Sequence, residues 1–412
     1  MLPSISRRLF TGMAGATIAT AAEAASFGNP DRPAEGAVNA TPQALSDPGP
    51  NTPALAQQLP SLFSPPPTDI GDMPPFWNSF NIAHRRIQDG GWARQVTQSA
   101  FPVATEISGV NMRLAAGGIR ELHWHLAAEW AYMTKGRCRV TVLDAKGQAY
   151  VQDVGVGDLW YFPAGAPHSL QGLGPEGCEF LIAFDNGEQS EYNTLLLSDW
   201  IAHTPPEVLA ANFGVPAETF RDIPLDDLWI FQGQEPGPLS ADQAAVRSGG
   251  VPIEPFTFSL AGMRPLKETR SGALRMADST IFKASKTVAA ALETIKPGGL
   301  RTMHWHPNAD EWQYYIQGKG RMTVFRAGPR AQTSDFQAGD VGYVTRGSGH
   351  YIQNTGDTDL ILLAVFRTAE YQEVSLTDWL ARTPPAMVAQ TLRIDPAFLT
   401  RLARGDAGVM PA

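Results

Sequence analysis

The amino-acid sequence predicts an all-β protein made of two tandem strand-rich units, each followed by short C-terminal helices. Three observations predict this fold class: the length of 412 residues, the abundance of turn-forming residues (39 Gly and 33 Pro), and a duplicated pattern of short apolar segments. A chain of this length usually divides into two domains. Many short strands joined by turns require Gly and Pro. We therefore expect two β-sandwiches or jelly-roll barrels in series.

The duplication is visible in the spacing of matched residues. The motif HWH that begins at His123 recurs 181 residues later at His304, and His168 recurs 182 residues later at His350. The segment LSDWIAHTPPEV recurs as LTDWLARTPPAM after 179 residues. Because the offsets agree across unlike residues, they indicate a tandem duplication, and such a repeat defines the architecture.

Each unit repeats the same order of predicted elements. RVTVLDAKGQAYVQDV and RMTVFRAGPRAQTSDF alternate β-branched residues around a Gly-containing turn, which predicts a hairpin. An apolar run typical of a sandwich core follows in each unit. DWIAHTPPEVLAANFG and DWLARTPPAMVAQTL then begin with Asp and have helical periodicity, so they predict the short C-terminal helices.

The N-terminus has the features of an export signal. The pair Arg7 and Arg8 in SRRLF precedes a modestly apolar run and a small-x-small site ending at Ala24. This arrangement resembles a twin-arginine signal, with an ordinary Sec signal or a frayed terminus as the alternatives. We therefore expect a periplasmic or secreted protein that is exported already folded. Elsewhere no apolar run approaches the ~20 residues of a membrane span, so we expect no membrane association of the mature form.

The composition of the chain suggests its division into segments and argues against a nucleic-acid partner. We assign residues 1–25 to the signal peptide, 26–75 to an extended Pro/Ala-rich arm, 76–245 to the first unit and 246–412 to the second. The formal net charge of -9 argues against a nucleic-acid partner. The two cysteines, Cys138 and Cys178, fall in strand-like segments; we interpret them as separate buried residues, with a disulfide as the alternative.

Two sets of residues have the spacing of metal ligands. Residues i and i+2 of a strand project from the same face, so His123 and His125 point together. Glu129 follows a tight turn, and His168 comes from a neighbouring strand. The predicted ligands are His123, His125, Glu129 and His168 in the first unit and His304, His306, Glu311 and His350 in the second.

Three imidazoles and one carboxylate suit a divalent first-row metal, and the ligand set leaves Mn, Fe, Co and Ni open. Without a thiolate, a structural zinc site is disfavoured. The alternative, ordinary core or surface histidines, is disfavoured because six of the eight histidines belong to the two matched sets.

Both units resemble the cupin pattern HxHx(3,4)Ex(6)G followed by PxxxPH. The first contains HWHLAAEWAYMTKG and PAGAPH; the second contains HWHPNADEWQYYIQG and TRGSGH, which lacks both prolines. Over residues 75–395 the chain resembles the bicupin oxalate decarboxylases, also in the phrase DLWYFPAGAPHS. The resemblance implies two Mn ions per chain, cleavage of oxalate to formate and carbon dioxide, dioxygen required as a cofactor but not consumed, and a homo-oligomer that is a trimer or a hexamer.

Two arginines are candidates for substrate binding. Arg120 and Arg301 each precede the first ligand histidine by three residues. On an ideal strand a residue at this odd spacing lies on the opposite face and points away from the metal. A bend or bulge is therefore required to bring them to the site. A guanidinium there holds a carboxylate bidentately and stabilises developing negative charge, so we also assign Arg120 a catalytic role. A surface salt bridge is the alternative.

The resemblance implies a lid in the loop after the first barrel, whose glutamate donates the proton to the product. The lid residues are Ser190, Glu191, Tyr192, Asn193 and Thr194. Glu191 is the proposed general acid, with an exposed loop glutamate as the alternative; Tyr192 and Asn193 depart from the usual order. The second unit lacks this lid, and the family's second-site glutamate is replaced by Ala364. Both differences favour catalysis at the first site, with the second metal structural, electron-transferring or weakly active.

Other assignments stay open at this level. Trp124 and Trp305, between the ligand histidines, face away from the metal; they form either an electron relay between subunits or barrel-exterior packing. The nearest rival function is oxalate oxidase, which uses the same ligands and gives hydrogen peroxide and carbon dioxide. A different bicupin dioxygenase and a non-catalytic storage-type bicupin are further alternatives.

Overall fold

The computed structural model of the protein describes residues 52–402 and 408–412. Within these residues the chain forms two β-barrels with few, short helices, which confirms the predicted fold class. The predicted signal peptide and residues 26–51 of the predicted arm lie outside the described residues.

The first half of the chain contributes twelve strands. They are β1 Trp77–Ser79, β2 Arg85–Gln88, β3 Gly91–Val96, β4 Ser108–Leu114, β5 Gly118–Trp124, β6 Glu129–Leu143, β7 Ala149–Gly155, β8 Asp158–Phe162, β9 His168–Gly172, β10 Cys178–Phe184, β11 Leu195–Leu196 and β12 Ile230–Gln232. The second half contributes thirteen. They are β13 Thr257–Ser259, β14 Lys267–Thr269, β15 Gly272–Ala277, β16 Ala289–Ile295, β17 Gly299–Trp305, β18 Glu311–Gln317, β19 Lys319–Arg326, β20 Arg330–Gln337, β21 Asp340–Val344, β22 Gly349–Asn354, β23 Leu360–Phe366, β24 Val374–Ser375 and β25 Val409–Pro411.

The helices lie before and after the barrels. They are α1 Pro53–Gln58, α2 Pro60–Phe63, α3 Leu197–Ala202, α4 Pro206–Phe213, α5 Leu239–Ala245, α6 Leu376–Ala381 and α7 Pro385–Leu392. The pairs α3–α4 and α6–α7 are the predicted C-terminal helices of the two units. Within the described ranges no helix has the length and apolar character needed to cross a membrane.

Each barrel is built from two antiparallel sheets. One continuous segment of the chain runs from the first sheet into the second. In the first barrel β6 pairs with β8 and β10 along its first half and with β7 and β9 along its second. The segment bends at Gly136, which has a φ of 63° and leaves no room for a side chain: a Cβ there would lie 1.9 Å from the carbonyl oxygen of Gly177. In the second barrel the segment divides at Gly318 into β18 and β19.

The two barrels exchange edge strands. Strand β1, which precedes the first barrel, pairs with β21 of the second, and β13, which precedes the second barrel, pairs with β8 of the first. Each exchanged strand covers a sheet edge whose backbone groups would otherwise lack partners. The predicted boundaries after residues 75 and 245 assign β1 to the first unit and β13 to the second, and each strand hydrogen-bonds to the barrel of the other unit.

The described part of the predicted arm also contacts the second barrel, and over helices α1 and α2 it is not extended. The backbone N–H of Ser61 donates to Asp335 Oδ2 (2.6 Å), and Ile70 forms a bridge with Ala331. Leu59 is buried between the two helices. A proline at the first position of each helix favours the start of these short helices. The prediction of an extended arm used only the Pro-rich composition and not the positions of the prolines.

One apolar core runs through both barrels. Trp312 of the second barrel is fully buried and packs edge-to-face against Phe80, with the ring centroids 6.5 Å apart. Cys138 and Cys178 are both buried free thiols. This confirms the prediction of two buried residues without a disulfide. Burial, and then the neighbouring Cys178, raise the pKa of Cys138 well above its ordinary value.

Candidate metal centres and active site

The first barrel brings all four predicted ligands together. His123 on β5 lies opposite His168, the first residue of β9; His125 follows β5, and Glu129 opens β6. Their ligand atoms all lie within 4.8 Å of one another, and all four residues are buried. Glu129 Oε2 is 3.3 Å from Nε2 of both His125 and His168.

The second barrel repeats this centre. His304, His306, Glu311 and His350 form the equivalent buried group, again with ligand atoms within 4.8 Å of one another. Glu311 Oε2 is 3.1 Å from His306 Nε2 and 2.9 Å from His350 Nε2. Both predicted ligand sets are thus assembled as the spacing indicated.

The side chains present fit a bound cation. The Nε2 atoms of His306 and His350 and Oε2 of Glu311 are buried and accept or donate no hydrogen bond within the described chain, and the same is true of His125 Nε2. Buried polar atoms are ordinarily partnered, so a set of unpartnered atoms converging on one point is the donor set of a metal ion.

In the first centre the protonation states also suit a cation. Burial lowers the pKa of His123 well below its ordinary value, and the positive charge of Arg120 lowers it further. Burial would raise the pKa of Glu129, but His168 and His125 outweigh burial and lower it. Neutral imidazoles and an ionised carboxylate are the forms that bind metals.

Backbone carbonyls orient most of the imidazoles. The Nδ1 atoms of His123 and His304 lie 2.5 and 2.6 Å from the carbonyl oxygens of Glu121 and Thr302, which directs Nε2 to the metal position. His125 differs, because its Nδ1 lies 3.3 Å from Thr194 Oγ1, a lid residue. The lid therefore contacts a ligand of the first centre directly.

A bulge brings each candidate arginine to its centre, as the odd spacing required. The register of β5 with β9 shifts between Arg120 and His123, and that of β17 with β22 shifts between Arg301 and His304. The side chains of Arg120 and Arg301 are 1% and 0% exposed. The surface-salt-bridge alternative is therefore excluded for both.

Arg120 keeps donors unused. Its Nη1 donates to the backbone carbonyl of Trp229 (3.2 Å), while Nε and Nη2 are buried without a hydrogen-bond acceptor among the described residues. The guanidinium carbon lies 5.4 Å from the Trp229 ring centroid. Trp229 has a φ of 50°, unusual for a bulky residue, and such backbone strain clusters at functional sites.

The lid residues lie folded over the first centre. Glu191–Asn193 form a single 3-10 turn that Ser190 caps, and Asn193 Oδ1 accepts the Ser190 N–H in return (2.8 Å). This turn buries Glu191, whose Oε2 lies 3.5 Å from Arg120 Nη2. The alternative of an exposed loop glutamate is excluded, while Tyr192 is exposed.

Sequence reasoning missed Arg86 on β2. Its Nη2 donates to Glu191 Oε2 (2.9 Å), and its guanidinium carbon lies 4.4 Å from the Trp229 ring centroid. Arg120 is one of the causes that lower the pKa of Arg86, after burial, so Glu191 lies between two neighbouring guanidinium groups. No spacing relates Arg86 to the ligand motifs, so the sequence carried no signal for it.

The second centre holds its arginine differently, through two residues that sequence reasoning also missed. Arg301 Nε donates to Glu293 Oε1 (3.1 Å), and Arg301 Nη2 pairs with Glu373. Burial would lower the pKa of Arg301, but Glu373 and Glu293 outweigh burial and raise it well above its ordinary value. Ala364 is fully buried on β23, the neighbour of β16 that carries Glu293.

The two tryptophans between the ligand histidines pack outward. Trp124 contacts Trp200 edge-to-face with the centroids 5.7 Å apart, and Trp305 contacts Trp379 at 5.6 Å. Trp200 and Trp379 belong to α3 and α6 and are 63% and 56% exposed. The outward direction of Trp124 and Trp305 is as predicted.

The comparisons with known proteins agree with this site. Residues 78–221 and 258–398 match the Cupin family. The chain is 49% identical to oxalate decarboxylase OxdC of Bacillus subtilis over 348 residues, covering 84% of this chain and 90% of that protein. A probable oxalate decarboxylase of Arthroderma benhamiae is 38% identical over 352 residues, covering 84% of this chain and 85% of that protein.

The solved structure of Bacillus subtilis oxalate decarboxylase at pH 4.6 superposes with a TM-score of 0.85 at 47% identity, covering 88% of this chain and 94% of that one. Another solved structure of that protein concerns its Mn(II) centres, with the same TM-score and 46% identity, over 88% of this chain and 96% of that one. With two Cupin matches and two complete His3Glu centres, this chain belongs to the bicupin oxalate decarboxylase family.

Proposed function

We propose that this protein is a Mn-dependent oxalate decarboxylase that cleaves oxalate to formate and carbon dioxide at its first metal centre. The observation that carries this proposal is the convergence of Arg120 and Glu191 on the buried His3Glu group of the first barrel. The relatives named oxalate decarboxylase, and the Mn(II) centres of the Bacillus subtilis protein, support the reaction and the metal. His123, His125, Glu129 and His168 hold the metal, which supplies Lewis-acid and redox chemistry when bound.

Arg120 binds and orients the substrate. Its unused Nε and Nη2 donors match the two oxygens of a carboxylate, and a guanidinium fork binds such a group bidentately. The site is buried, so these charge-assisted hydrogen bonds are stronger than in water. Arg120 also stabilises the negative charge that remains when carbon dioxide leaves.

Glu191 completes the reaction as the proton donor. When the carbon–carbon bond breaks, its electron pair remains on the retained carboxylate carbon. The Glu191 carboxylate takes up one proton in each turnover and passes it to that carbon to give formate. No net electron is gained or lost, so the reaction consumes no dioxygen; we propose from the family resemblance that dioxygen is nevertheless required. The closed lid excludes water from the site meanwhile.

Oxalate oxidase is the competing function because it uses the same ligands and arginine. The burial of Glu191 beside Arg120 favours the decarboxylase, since a proton donor at this point diverts the intermediate to formate. The test is a product assay with [13C]oxalate. We expect one formate for each carbon dioxide and at most traces of hydrogen peroxide. Two carbon dioxide molecules with stoichiometric peroxide would identify an oxidase instead.

The less favoured functions have their own test. A storage-type bicupin usually lacks a full ligand set, whereas both sets are complete here. A dioxygenase for aromatic substrates needs a roomier pocket than one closed by a lid and an arginine. Two Mn ions per chain in the purified protein, together with oxalate turnover, would exclude both; the absence of bound Mn or Fe would favour the storage function.

We also propose a location and an assembly. The Arg7-Arg8 signal supports export to the periplasm or beyond by the twin-arginine route, which fusion of residues 1–25 to a folded reporter tests. The family resemblance supports a homo-oligomer, a trimer or hexamer. In it Trp124 and Trp305, which contact the exposed Trp200 and Trp379, would relay electrons between subunits. Light scattering of the purified protein tests the assembly.

A further inference from the structure

The duplicated barrels allow each residue of one centre to be compared with its counterpart in the other. Strand β4 of the first barrel is the counterpart of strand β16 of the second. The fifth residue is Met112 in β4 and Glu293 in β16. Strands β11 and β24 both pair with the ligand strand, and the residue before each is Thr194 or Glu373. The second barrel therefore carries a carboxylate at two positions where the first has an uncharged side chain.

These two carboxylates fill the hydrogen-bonding capacity of Arg301. Nε donates to Glu293, Nη2 to Glu373 and to the hydroxyl of Tyr371 (3.2 Å), and Nη1 to the carbonyl of Gly408 (3.2 Å). All three nitrogens of Arg301 are thus engaged. In the first barrel only Nη1 of Arg120 makes a hydrogen bond within the described residues.

Glu373 also stands where a substrate carboxylate would stand. Its Oε2 pairs with Arg301 and lies 4.0 Å from His304 Nε2, a metal-facing atom. Its Oε1 accepts from Lys267 Nζ (2.9 Å), and its side chain is 5% exposed. A carboxylate that links the arginine to the metal position is the arrangement expected of bound oxalate.

The charges agree with this comparison. The first centre sets two carboxylates, Glu129 and Glu191, against the guanidinium groups of Arg86 and Arg120, so a divalent metal leaves two positive charges for a dianion. The second centre sets three carboxylates against one guanidinium and one ammonium group. With all three carboxylates ionised its charge is one unit more negative, and burial raises the pKa of one of them, Glu293. An entering dianion would have to displace a buried, paired carboxylate, which is strongly unfavourable.

We propose that the second centre binds its metal but excludes oxalate, because Glu293 and Glu373 occupy Arg301 as an internal substitute for the substrate. This inference rests on the proposed function. Each chain then has one oxalate site, at the first centre, and the second centre binds oxalate at least about a hundredfold more weakly. Glu293 and Glu373 are the residues that determine this difference.

The test counts oxalate sites by equilibrium dialysis of the full chain loaded with two Zn²⁺, which has no redox chemistry and leaves oxalate intact. We expect one tight site in the wild type, none in Arg120→Gln, and two in the double variant Glu293→Met, Glu373→Thr, which installs the residues of the first barrel. Adding Arg120→Gln to the double variant should return the count to one.

The outcomes separate this inference from the proposed function. Two tight sites in the wild type would overturn the inference and leave the function standing. One site remaining in Arg120→Gln would overturn the inference and also the binding of oxalate by Arg120 at the first centre. No tight site in the wild type would instead overturn oxalate as the substrate. Metal content of two per chain is verified for every variant. If the double variant fails to fold, Glu293→Gln and Glu373→Gln keep the shape of the side chains, and the wild type and Arg120→Gln still decide the count.

Discussion

Arg86 Nη2 donates a hydrogen bond of 2.9 Å to Glu191 Oε2, which ties strand β2 to the lid of the first centre. The same carboxylate oxygen lies 3.5 Å from Arg120 Nη2. The proton donor is therefore held from two sides, by the substrate-binding arginine and by a residue with no place in the metal motif. This arrangement fixes the position of Glu191 over the centre, and several expected outcomes depend on it.

Replacing Arg86 by Met should lower the rate of formate production about 10- to 100-fold. The reason is that Glu191 loses its shorter ion pair, and small misplacements of a catalytic group are costly. The measurement is formate release at saturating oxalate, with metal content as the check on folding. Arg85→Met, at the exposed neighbouring position on β2, is the matched control. A wild-type rate in Arg86→Met would show that Arg120 alone positions the lid.

Replacing Glu191 by Ala should abolish formate release, a loss of about 10²- to 10⁴-fold, because the proposed proton donor is removed. The metal content should remain at two per chain, since Glu191 is not a ligand. Formate and peroxide are measured together, with Glu188→Ala, an exposed residue of the same loop, as control. Undiminished formate production would disprove the role of Glu191.

Replacing Thr194 by Val should reduce metal affinity or activity of the first centre about 10- to 100-fold. The hydroxyl that orients His125 through Nδ1 is lost, and such supporting hydrogen bonds have effects of this size. Metal retention against a chelator provides the measurement. Thr194→Ser restores the hydroxyl and should behave as the wild type; equal losses in both variants would point to packing rather than hydrogen bonding.

Replacing one ligand should remove one metal. His168→Ala is expected to reduce the content from two ions per chain to one and to eliminate turnover, and His350→Ala to remove the other ion. Elemental analysis of the purified variants measures this. His203→Ala is the control, because His203 is 75% exposed and pairs with Asp199 away from both ligand sets. Retention of two ions in His168→Ala would contradict the assigned ligands.

Because Asp340 contacts residues that precede the first barrel, replacing it should destabilise the protein more than replacing its counterpart in the first barrel. Asp340 accepts hydrogen bonds from Trp77 Nε1 (3.0 Å), Gln58 Nε2 (3.2 Å) and the backbone N–H of Gln337 (2.9 Å). Asp340→Asn replaces one acceptor oxygen by a donor, and leaving a buried donor unpaired costs about 1–3 kcal/mol.

The matched variant is Asp158→Asn, because Asp158 holds the equivalent place in the first barrel and accepts the Gly155 N–H (2.9 Å). Thermal unfolding should show the larger decrease in midpoint for Asp340→Asn. Equal decreases would mean that the contacts with residues 58 and 77 add nothing to stability.

Much of the site followed from local spacing. The alternation of a strand places His123 and His125 on one face, and the odd offset of Arg120 required a bulge that the register of β5 and β9 contains. The nearly constant offset between matched residues of the two halves predicted the second barrel and its ligands. These conclusions depend on residues that are close in sequence or repeated at a nearly constant distance.

The remaining features depend on pairings between distant segments. Arg86 reaches Glu191 across the gap between β2 and the lid, and β1 pairs with the barrel farther from it in sequence. No periodicity records such contacts, because they are set by which sheet edge a strand covers and how the barrels pack.

The sequence by itself therefore determined the class of fold, the duplication and the eight metal ligands, since strand geometry converts their spacing directly into position. Only the tertiary structure decided how the two centres differ. Arg120 and Arg301 occupy identical places in their motifs, yet Glu293 and Glu373 pair with the guanidinium of Arg301, while Nε and Nη2 of Arg120 have no hydrogen-bond acceptor among the described residues. The physical reason is that the charge state and hydrogen bonding of a buried arginine depend on the side chains folded around it.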